Sequence, residues 1–227
     1  MRGEDLDEAR VTFAGLAGDR VYAFVDTENR SSFPWMTARK GREWVLFSPR
    51  FLDPPPANEA YPAASRYAVE VATPEGQHFP VNDPEFKVYL ERRFGHLLEL
   101  RFSERSMNDA QPVSLFGLST IRSLSEETGK ELGVPRFRAN FYAEWDNDRA
   151  FFEDTLVGRT IRIGSEVTVQ AVKKDIRCVM ITIDPADASS FPLLLENVVQ
   201  RHERCAGIYG AVLTEGIVRR DDPIYLI

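Results

Sequence analysis

With 35 acidic against 28 basic side chains, the 227-residue chain has a formal net charge of −7, which argues against a nucleic-acid or anionic-membrane partner because like charges repel. A hydrophobic content of 43% suits a soluble globular protein with one large domain or two small ones. No apolar run approaches the ~18 residues of a membrane span, and the charged N-terminus lacks the apolar stretch of a signal peptide. Two cysteines cannot form a disulfide framework, so a reducing, cytoplasmic compartment is expected.

The predicted elements are mostly short strands, because apolar and polar residues alternate along the chain as they do in half-buried strands. In chain order, the predicted strands cover Asp19–Asp26, Trp44–Ser48, Tyr67–Thr73, Leu97–Phe102, Arg136–Glu144, Thr160–Val172, Cys178–Asp184, Ala211–Gly216 and Pro223–Ile227. Glycines predict turns between several of these strands, at Glu75–Gly76, Gly164–Ser165 and Glu215–Gly216.

Three helices are predicted from their start and stop signals. They cover residues 84–94 after Asp83 as N-cap, residues 120–128 after Ser119 as N-cap, and residues 192–203 beginning at Pro192. Three helices among many strands do not form a repeating βαβ pattern. We therefore predict a mainly β fold, a β-barrel with a smaller N-terminal β module and a few peripheral helices.

Two segments without periodicity divide the chain. Leu52–Ser65 is rich in proline and alanine and is predicted to be a surface loop. Ser103–Pro112 is polar and indicates a boundary, which places the N-terminal module at 1–105 and the core domain at 106–227.

Cys178 is the first candidate for chemistry. A free cysteine is most often a buried core residue, and that interpretation stays open. Arg177 beside it favours the thiolate, which is the form that binds metals or acts as a nucleophile. At the start of a predicted strand, Cys178 would share the less apolar face with Met180 and Thr182. Cys205 is predicted to be structural.

Two other segments carry groups that bind anions. Strand alternation over 136–141 would put three polar side chains on one face, namely Arg136, Arg138 and Asn140. Guanidinium groups match phosphate and carboxylate oxygens, although a solvated strand face with acidic partners is the alternative. Ser119 and Thr120 lie at a predicted helix start, where amide groups attract anions and where simple capping is an equal explanation.

Taken in order, these stretches resemble the MOSC family, the C-terminal domain of molybdenum cofactor sulfurase. The resembling pieces are Gly15–Asp26, Met36–Lys40, Pro112–Leu124, Arg136–Phe141, Ala150–Gly164, Arg177–Pro185 and Glu215–Ile227. They cover nearly the whole chain. The resemblance implies a MOSC-type β-barrel preceded by the smaller N-terminal barrel module.

Relatives that resemble this arrangement include the mitochondrial amidoxime-reducing component, which holds a molybdenum–molybdopterin cofactor and reduces N-hydroxylated compounds. The resemblance implies that Cys178 ligates molybdenum, with Arg177 beside it as a cofactor contact. It implies further cofactor contacts from Arg20, Ser119, Thr120, Arg138 and Asn140. A thiolate suits a metal held by the soft dithiolene of the pterin.

The same resemblance implies a small-molecule substrate and a separate electron donor, either ferredoxin-like or a flavin reductase. Two cysteines are too few for an iron–sulfur cluster, which needs about four. The electrons would therefore have to come from outside the chain.

Departures from the family pattern leave other functions open. The Lys-Ser pair that usually begins the family's chain has no counterpart, and a cofactor-contacting tyrosine aligns on Val212. One alternative is a sulfur-carrier or anionic-ligand-binding module without redox turnover, in which Cys178 carries a persulfide. Another is a fold that has lost its cofactor. Pyridoxal phosphate binding, attached to the family by analogy, would need a Schiff-base lysine, and no lysine stands in a context that favours one.

Overall fold

A computed structural model gives the fold of residues 1–53 and 59–227, which form two compact units. Unit 1 comprises Met1–Glu4, Gly18–Met107 and Pro185–Ala188, and unit 2 comprises Asp5–Ala17, Asn108–Asp184 and Ser189–Ile227. The prediction of a mainly β fold with few helices is confirmed. None of the helices in the described ranges is long and apolar enough to cross a membrane.

Strands outnumber helices throughout the described residues. The strands are β1 (Glu8–Thr12), β2 (Gly15–Leu16), β3 (Tyr22–Asp26), β4 (Ser48–Asp53), β5 (Ala68–Ala72), β6 (His78–Pro80), β7 (Leu98–Phe102), β8 (Val113–Gly117), β9 (Phe141–Ala143), β10 (Thr160–Ile163), β11 (Val167–Ile176), β12 (Cys205–Thr214), β13 (Gly216–Arg219) and β14 (Ile224–Leu226). The α-helices are α1 (Pro84–Phe94), α2 (Leu118–Thr128) and α3 (Pro192–Arg201). Short 3₁₀ turns cover Arg42–Leu46, Ala64–Arg66, Val134–Phe137, Phe152–Leu156 and Val179–Thr182.

Unit 1 pairs its strands antiparallel in two small sheets, β3 with β7 and β4 with β5 and β6. Helix α1 has the predicted bounds, because Asp83 accepts a hydrogen bond from the Glu85 amide at 2.8 Å and Gly95 ends the helix in the left-handed region. Five aromatic rings fill the space beside it at centroid separations of 5.2 to 6.4 Å, those of Phe24, Trp44, Phe47, Phe86 and Phe94.

Unit 2 contains a six-stranded sheet in the order β14–β10–β11–β12–β8–β9. Neighbouring strands are antiparallel, except that β8 and β9 run parallel. One face buries an apolar cluster that includes Val113, Ile161, Val169 and Ile208. Helices α2 and α3 contribute residues to a second apolar cluster. The predicted turn at Gly164–Ser165 joins the paired strands β10 and β11.

The predicted strand at Cys178–Asp184 is wrong. Residues Val179–Thr182 form a 3₁₀ turn, closed by a hydrogen bond from the Ile181 amide to the Cys178 carbonyl at 3.2 Å. The 3₁₀ turn forms instead of a strand because its carbonyls have hydrogen-bond partners outside any sheet. Arg136 donates to the carbonyls of Ile181 and Thr182. Cys178 therefore precedes a turn and shares no strand face with Met180.

The predicted strand at Arg136–Glu144 is also largely wrong. Val134–Phe137 forms a 3₁₀ turn whose second residue is Pro135, and Arg138 ends it with a φ of 57°. Only Phe141–Ala143 is a strand. Arg136, Arg138 and Asn140 consequently do not line one face, and Arg136 is 1% exposed.

Three smaller predictions need correction. Trp44 and Val45 are both buried, which strand alternation does not allow, and they lie in the 3₁₀ turn Arg42–Leu46. Helix α2 begins at Leu118 after Gly117 rather than after Ser119, and α3 ends at Arg201. In the predicted loop 52–65, β4 extends through Asp53, a 3₁₀ turn begins at Ala64, and residues 54–58 lie outside the described residues.

Asp26 links three segments of unit 1. Its carboxylate lies 2.7 Å from Lys40 Nζ and 2.9 Å from His96 Nδ1, and it accepts a hydrogen bond from the Glu28 amide at 3.1 Å. The hydrogen bond from Lys40 holds the pKa of Asp26 below its ordinary range. The ionised carboxylate therefore stabilises this unit.

Replacing Asp26 by Asn should weaken the dependence of stability on acid pH. Because the folded pKa lies below the ordinary value of 3.8, the stabilisation is present above about pH 4 and is lost as the pH falls further. Urea unfolding followed by tryptophan fluorescence should show a smaller acid loss for Asp26→Asn than for the unmodified protein. The exposed Asp53→Asn is the control and should keep the original pH profile. An equally steep loss in Asp26→Asn would contradict the assignment.

Candidate functional site

Cys178 lies at the junction between β11 and the 3₁₀ turn Val179–Thr182. Its backbone is extended, with φ −126° and ψ −177°, and the residue is half-buried. Of its two neighbours, Arg177 is 7% exposed and Val179 is 47% exposed, and Ile176, two residues before, is 66% exposed. Cys178 is therefore not sealed in the core, whereas Cys205 is buried in β12.

Arg177 is held inside the protein although it adjoins Cys178. Its Nη1 forms an ion pair with Asp175, and its Nη2 donates a hydrogen bond to the Phe137 carbonyl at 2.6 Å. The guanidinium carbon lies 5.7 Å from the Phe116 ring centroid and 6.0 Å from that of Phe137. Burial raises the pKa of the Asp175 carboxyl, and the charge of Arg177 opposes that shift.

Arg138 comes close to this arrangement through its neighbour Phe137. Phe137 precedes Arg138, and Arg177 precedes Cys178. The hydrogen bond from the Arg177 side chain to the Phe137 carbonyl therefore brings these two segments together. Burial raises the pKa of the Tyr142 phenol, and the hydrogen bond from the Ala139 amide and the charges of Arg177 and Arg138 oppose that shift. Arg138 itself is half-buried in the left-handed conformation.

Asn140 is tied to strand β8. Its Oδ1 accepts hydrogen bonds from the Ser114 amide at 2.9 Å and from the Ser114 hydroxyl at 3.0 Å. The backbone amide of Asn140 donates to the Ser114 hydroxyl at 3.1 Å. These bonds anchor the loop that carries Arg138 to the sheet.

Ser119 and Thr120 make hydrogen bonds within the protein. The Ser119 hydroxyl donates to the Arg149 carbonyl at 3.0 Å. The Thr120 hydroxyl is fully buried, donates to Glu153 at 3.1 Å and accepts from the Phe151 amide at 2.7 Å. Their roles as cofactor contacts stay predictions.

The buried carboxylate of Glu153 occupies the start of α2. It accepts hydrogen bonds from the Gly117 amide at 3.0 Å and from Trp145 Nε1 at 3.3 Å, besides that from Thr120. Burial raises the pKa of this carboxyl, and these donors oppose the shift. The anion expected at the helix start is therefore supplied by the protein's own side chain.

Arg20 belongs to unit 1. It has a φ of 53°, its carbonyl accepts a hydrogen bond from the Met107 amide at 3.0 Å, and its Nε lies 3.8 Å from the Asp19 carboxylate. Its assignment as a cofactor contact rests on the family resemblance and stays a prediction.

Two arginines have positions that the sequence did not indicate. Arg136 is buried, donates to the carbonyls of Ile181 and Thr182, and forms an ion pair with Asp184. Arg204 is exposed, and its Nε donates to the Arg177 carbonyl at 3.1 Å. No local pattern distinguishes Arg204 from the other charged residues around it, so only the folded structure connects it to Cys178.

The unit 2 sheet also encloses a cavity of about 10 Å³, lined by apolar side chains such as Val113, Ile161 and Ile208. Such a volume holds about one water molecule. The cavity is therefore too small for an organic cofactor. The region around Cys178 combines a half-buried cysteine with Arg177 and Arg204, which are hydrogen-bonded to each other through the backbone and through Arg204 Nε.

Comparison with known proteins identifies one domain family. The MOSC domain matches residues 103–225, which is more than half of the chain. No curated protein matches.

Solved structures with some similarity include two YiiM proteins and a YUAD protein. YiiM from Geobacillus stearothermophilus has 18% identity and a TM-score of 0.41, with 51% of this chain and 54% of that chain covered. YUAD protein from Bacillus subtilis has 11% identity and a TM-score of 0.49, with 97% and 85% covered. YiiM from Escherichia coli has 14% identity and a TM-score of 0.37, with 51% and 54% covered. The chain thus spans about half the length of the YiiM structures.

Breaking the buried Arg177–Asp175 pair should strongly destabilise unit 2. In Arg177→Met the Asp175 carboxylate stays buried without its partner, which costs about 3 to 5 kcal/mol of unfolding free energy. The double variant Arg177→Met/Asp175→Leu should recover much of this loss, because no unpaired charge remains. Urea unfolding measures both changes. The exposed Arg201→Gln is the control and should stay within about 0.5 kcal/mol of the unmodified protein. A small effect of Arg177→Met would show that the pair does not organise this region.

Proposed function

Because the chain belongs to the MOSC domain family, which is associated with the molybdenum cofactor, we propose that it is a molybdenum-cofactor-dependent oxidoreductase with Cys178 as the metal ligand. The observation that carries the proposal is the environment of this thiol. Cys178 is half-buried directly after a buried guanidinium, at the point where the pairing of β11 with β12 ends.

The residues fit a soft metal with an anionic organic ligand. Thiolate sulfur suits molybdenum bound through a dithiolene. Arg177, the residue before Cys178, places a positive charge in this region, which suits an anionic ligand. The Arg177 Nε atom is buried and has no hydrogen-bond partner within the described ranges, so its charge is only partly compensated. Arg138 would hold an oxyanion of the pterin, because guanidinium forks match phosphate oxygens.

The proposed reaction is the reduction of a small N-hydroxylated compound. In R–NH–OH + 2 e⁻ + 2 H⁺ → R–NH₂ + H₂O, the N–O bond breaks and the oxygen leaves as water. When bound, the cofactor supplies the two-electron redox couple. The chain's own residues would hold the metal through Cys178 and orient the anionic group through Arg138, and Arg177 fixes the backbone before Cys178 by its bonds to Asp175 and Phe137. The electrons come from a separate donor, either ferredoxin-like or a flavin reductase.

Metal content tests the proposal most directly. Protein produced in a host that makes the molybdenum cofactor should carry stoichiometric molybdenum by elemental mass spectrometry and should reduce N-hydroxylated compounds with a chemical reductant. Cys178→Ser should lose both, because the soft ligand is gone. Cys205→Ser is the matched control and should keep both, since that thiol is buried in β12. Only trace molybdenum in the unmodified protein would contradict the proposal.

The partial exposure of Cys178 also favours a second candidate, a sulfur carrier. In that case the Cys178 thiolate attacks the terminal sulfur of a donor persulfide, a Cys178 persulfide forms, and the donor leaves as a thiolate. Ser119 and Thr120 favour this candidate too, because their hydroxyls are bound inside the protein rather than offered to a phosphate. Intact mass spectrometry after incubation with a persulfide donor should then show one added sulfur in the unmodified protein and none in Cys178→Ser.

A further inference from the structure

The three guanidinium groups tied to the segment around Cys178 differ in how the protein uses them. Arg136 is 1% exposed, and its donors bind Asp184 and two backbone carbonyls. Arg177 is 7% exposed, and its donors bind Asp175 and a carbonyl. Arg177 cannot turn to a ligand without leaving the buried Asp175 carboxylate without its guanidinium, which is costly. Arg136 is itself fully enclosed, and its Nη groups are engaged by Asp184 and the two carbonyls.

Arg204 is anchored at the same place but faces solvent. Its Nε donates to the Arg177 carbonyl at 3.1 Å, and its own carbonyl accepts from the Arg177 amide at 2.8 Å. In a trans peptide the carbonyl oxygen and the next Cα lie on the same side of the C–N bond, about 3 Å apart. Adding the hydrogen bond from Nε to this oxygen places the Arg204 Nε within about 6 Å of the Cys178 Cα. Within the described part of the chain, no carboxylate forms an ion pair with Arg204.

The backbone around Arg204 holds this position firmly. Glu203 and Arg204 are consecutive non-glycine residues in the left-handed region, with φ of 53° and 63°. Such conformations persist only where surrounding contacts fix them, and here the Arg204 amide donates to the Val198 carbonyl at 3.0 Å. Glu203 does not neutralise its neighbour, because its carboxylate is paired with Lys174 at 3.4 Å.

We propose that Arg204 is a specificity-determining residue that binds the carboxylate of the substrate. This inference rests on the proposed function of Cys178 and deepens it. With Nε engaged by the Arg177 carbonyl, the two Nη groups are left to take both oxygens of one carboxylate in a bidentate pair. The favoured substrates are small N-hydroxylated compounds that carry a carboxylate a few bonds from the N–O group. Neutral compounds of the same size lack this contact.

The first test needs no metal. Iodoacetate and iodoacetamide alkylate the same thiolate, and a change in thiol ionisation affects both rates equally. The ratio of the two rates at Cys178, followed by peptide mass spectrometry in metal-free protein, therefore reports the local charge. Arg204→Gln should lower the iodoacetate-to-iodoacetamide ratio by up to about threefold at low salt, which is the effect in water of one unit charge about 6 Å from the reacting sulfur. Arg204→Lys should retain most of the ratio.

The control for this test is Arg201→Gln, which removes an exposed positive charge from the last turn of α3. It should leave the ratio unchanged. The effect of Arg204→Gln should shrink at high ionic strength, because salt screens exposed charges. An unchanged ratio in Arg204→Gln would overturn the proposal, whatever the metal content of the protein.

The second test uses the molybdenum-loaded protein. For a carboxylate-bearing N-hydroxylated substrate, Arg204→Gln should raise KM about tenfold with little change in kcat, as expected for losing one charge-assisted contact. The matching neutral substrate should be unaffected. Equal effects on both substrates, or lower molybdenum content in Arg204→Gln, would overturn the proposal, the latter because Arg204 would then hold the cofactor. Absence of molybdenum from the unmodified protein would instead refute the proposed function, while the alkylation ratio still tests the charge of Arg204 separately.

Discussion

A reciprocal pair of buried arginines organises the region around Cys178. Arg177, next to the thiol, donates to the carbonyl of Phe137, while Arg136, next to Phe137, donates to the carbonyls of Ile181 and Thr182. Each guanidinium also has its own carboxylate, Asp175 for Arg177 and Asp184 for Arg136. Buried ion pairs add little net stability compared with apolar residues of the same volume. We therefore interpret these pairs as fixing geometry, because they join two turns that share no strand pairing.

This arrangement explains why the candidate residues lie on turns. Cys178 precedes the 3₁₀ turn Val179–Thr182, and Arg138 follows the 3₁₀ turn Val134–Phe137. In a paired strand, alternation would have fixed the direction in which each of these side chains points. In a turn that is held by side-chain bonds to its carbonyls, the direction of the end residue is not set by alternation. Asn140 also holds this region in place, because its hydrogen bonds to Ser114 attach the segment that follows the turn Val134–Phe137 to strand β8 of the sheet. The sheet thus supplies rigidity, and the two arginines supply the local placement.

Sequence alone predicts the elements whose signals are local. Helix α1 was predictable to its ends because Asp83, Pro84 and Gly95 each act on adjacent backbone groups. The Cys178–Asp184 segment has the same alternating pattern as a strand, but hydrogen bonds to Arg136, more than forty residues away in sequence, decide its conformation. Arg136 and Arg138 likewise look equivalent in sequence, and only the fold buries one of them and leaves the other half-buried. The candidate residues could be named from the family resemblance, but not their exposure.

Overall charge and local charge lead to different conclusions in this protein. The net charge of −7 describes the chain as a whole. Around Cys178, however, Asp175 and Asp184 form ion pairs with two of the guanidinium groups, which limits how far these two can turn to a ligand. Arg204 has no such carboxylate among the described residues, and it is exposed, with its Nε hydrogen-bonded to the carbonyl of the residue before Cys178. An exposed guanidinium with no ion pair among the described residues matches a small carboxylate, which is the premise of the role proposed for Arg204.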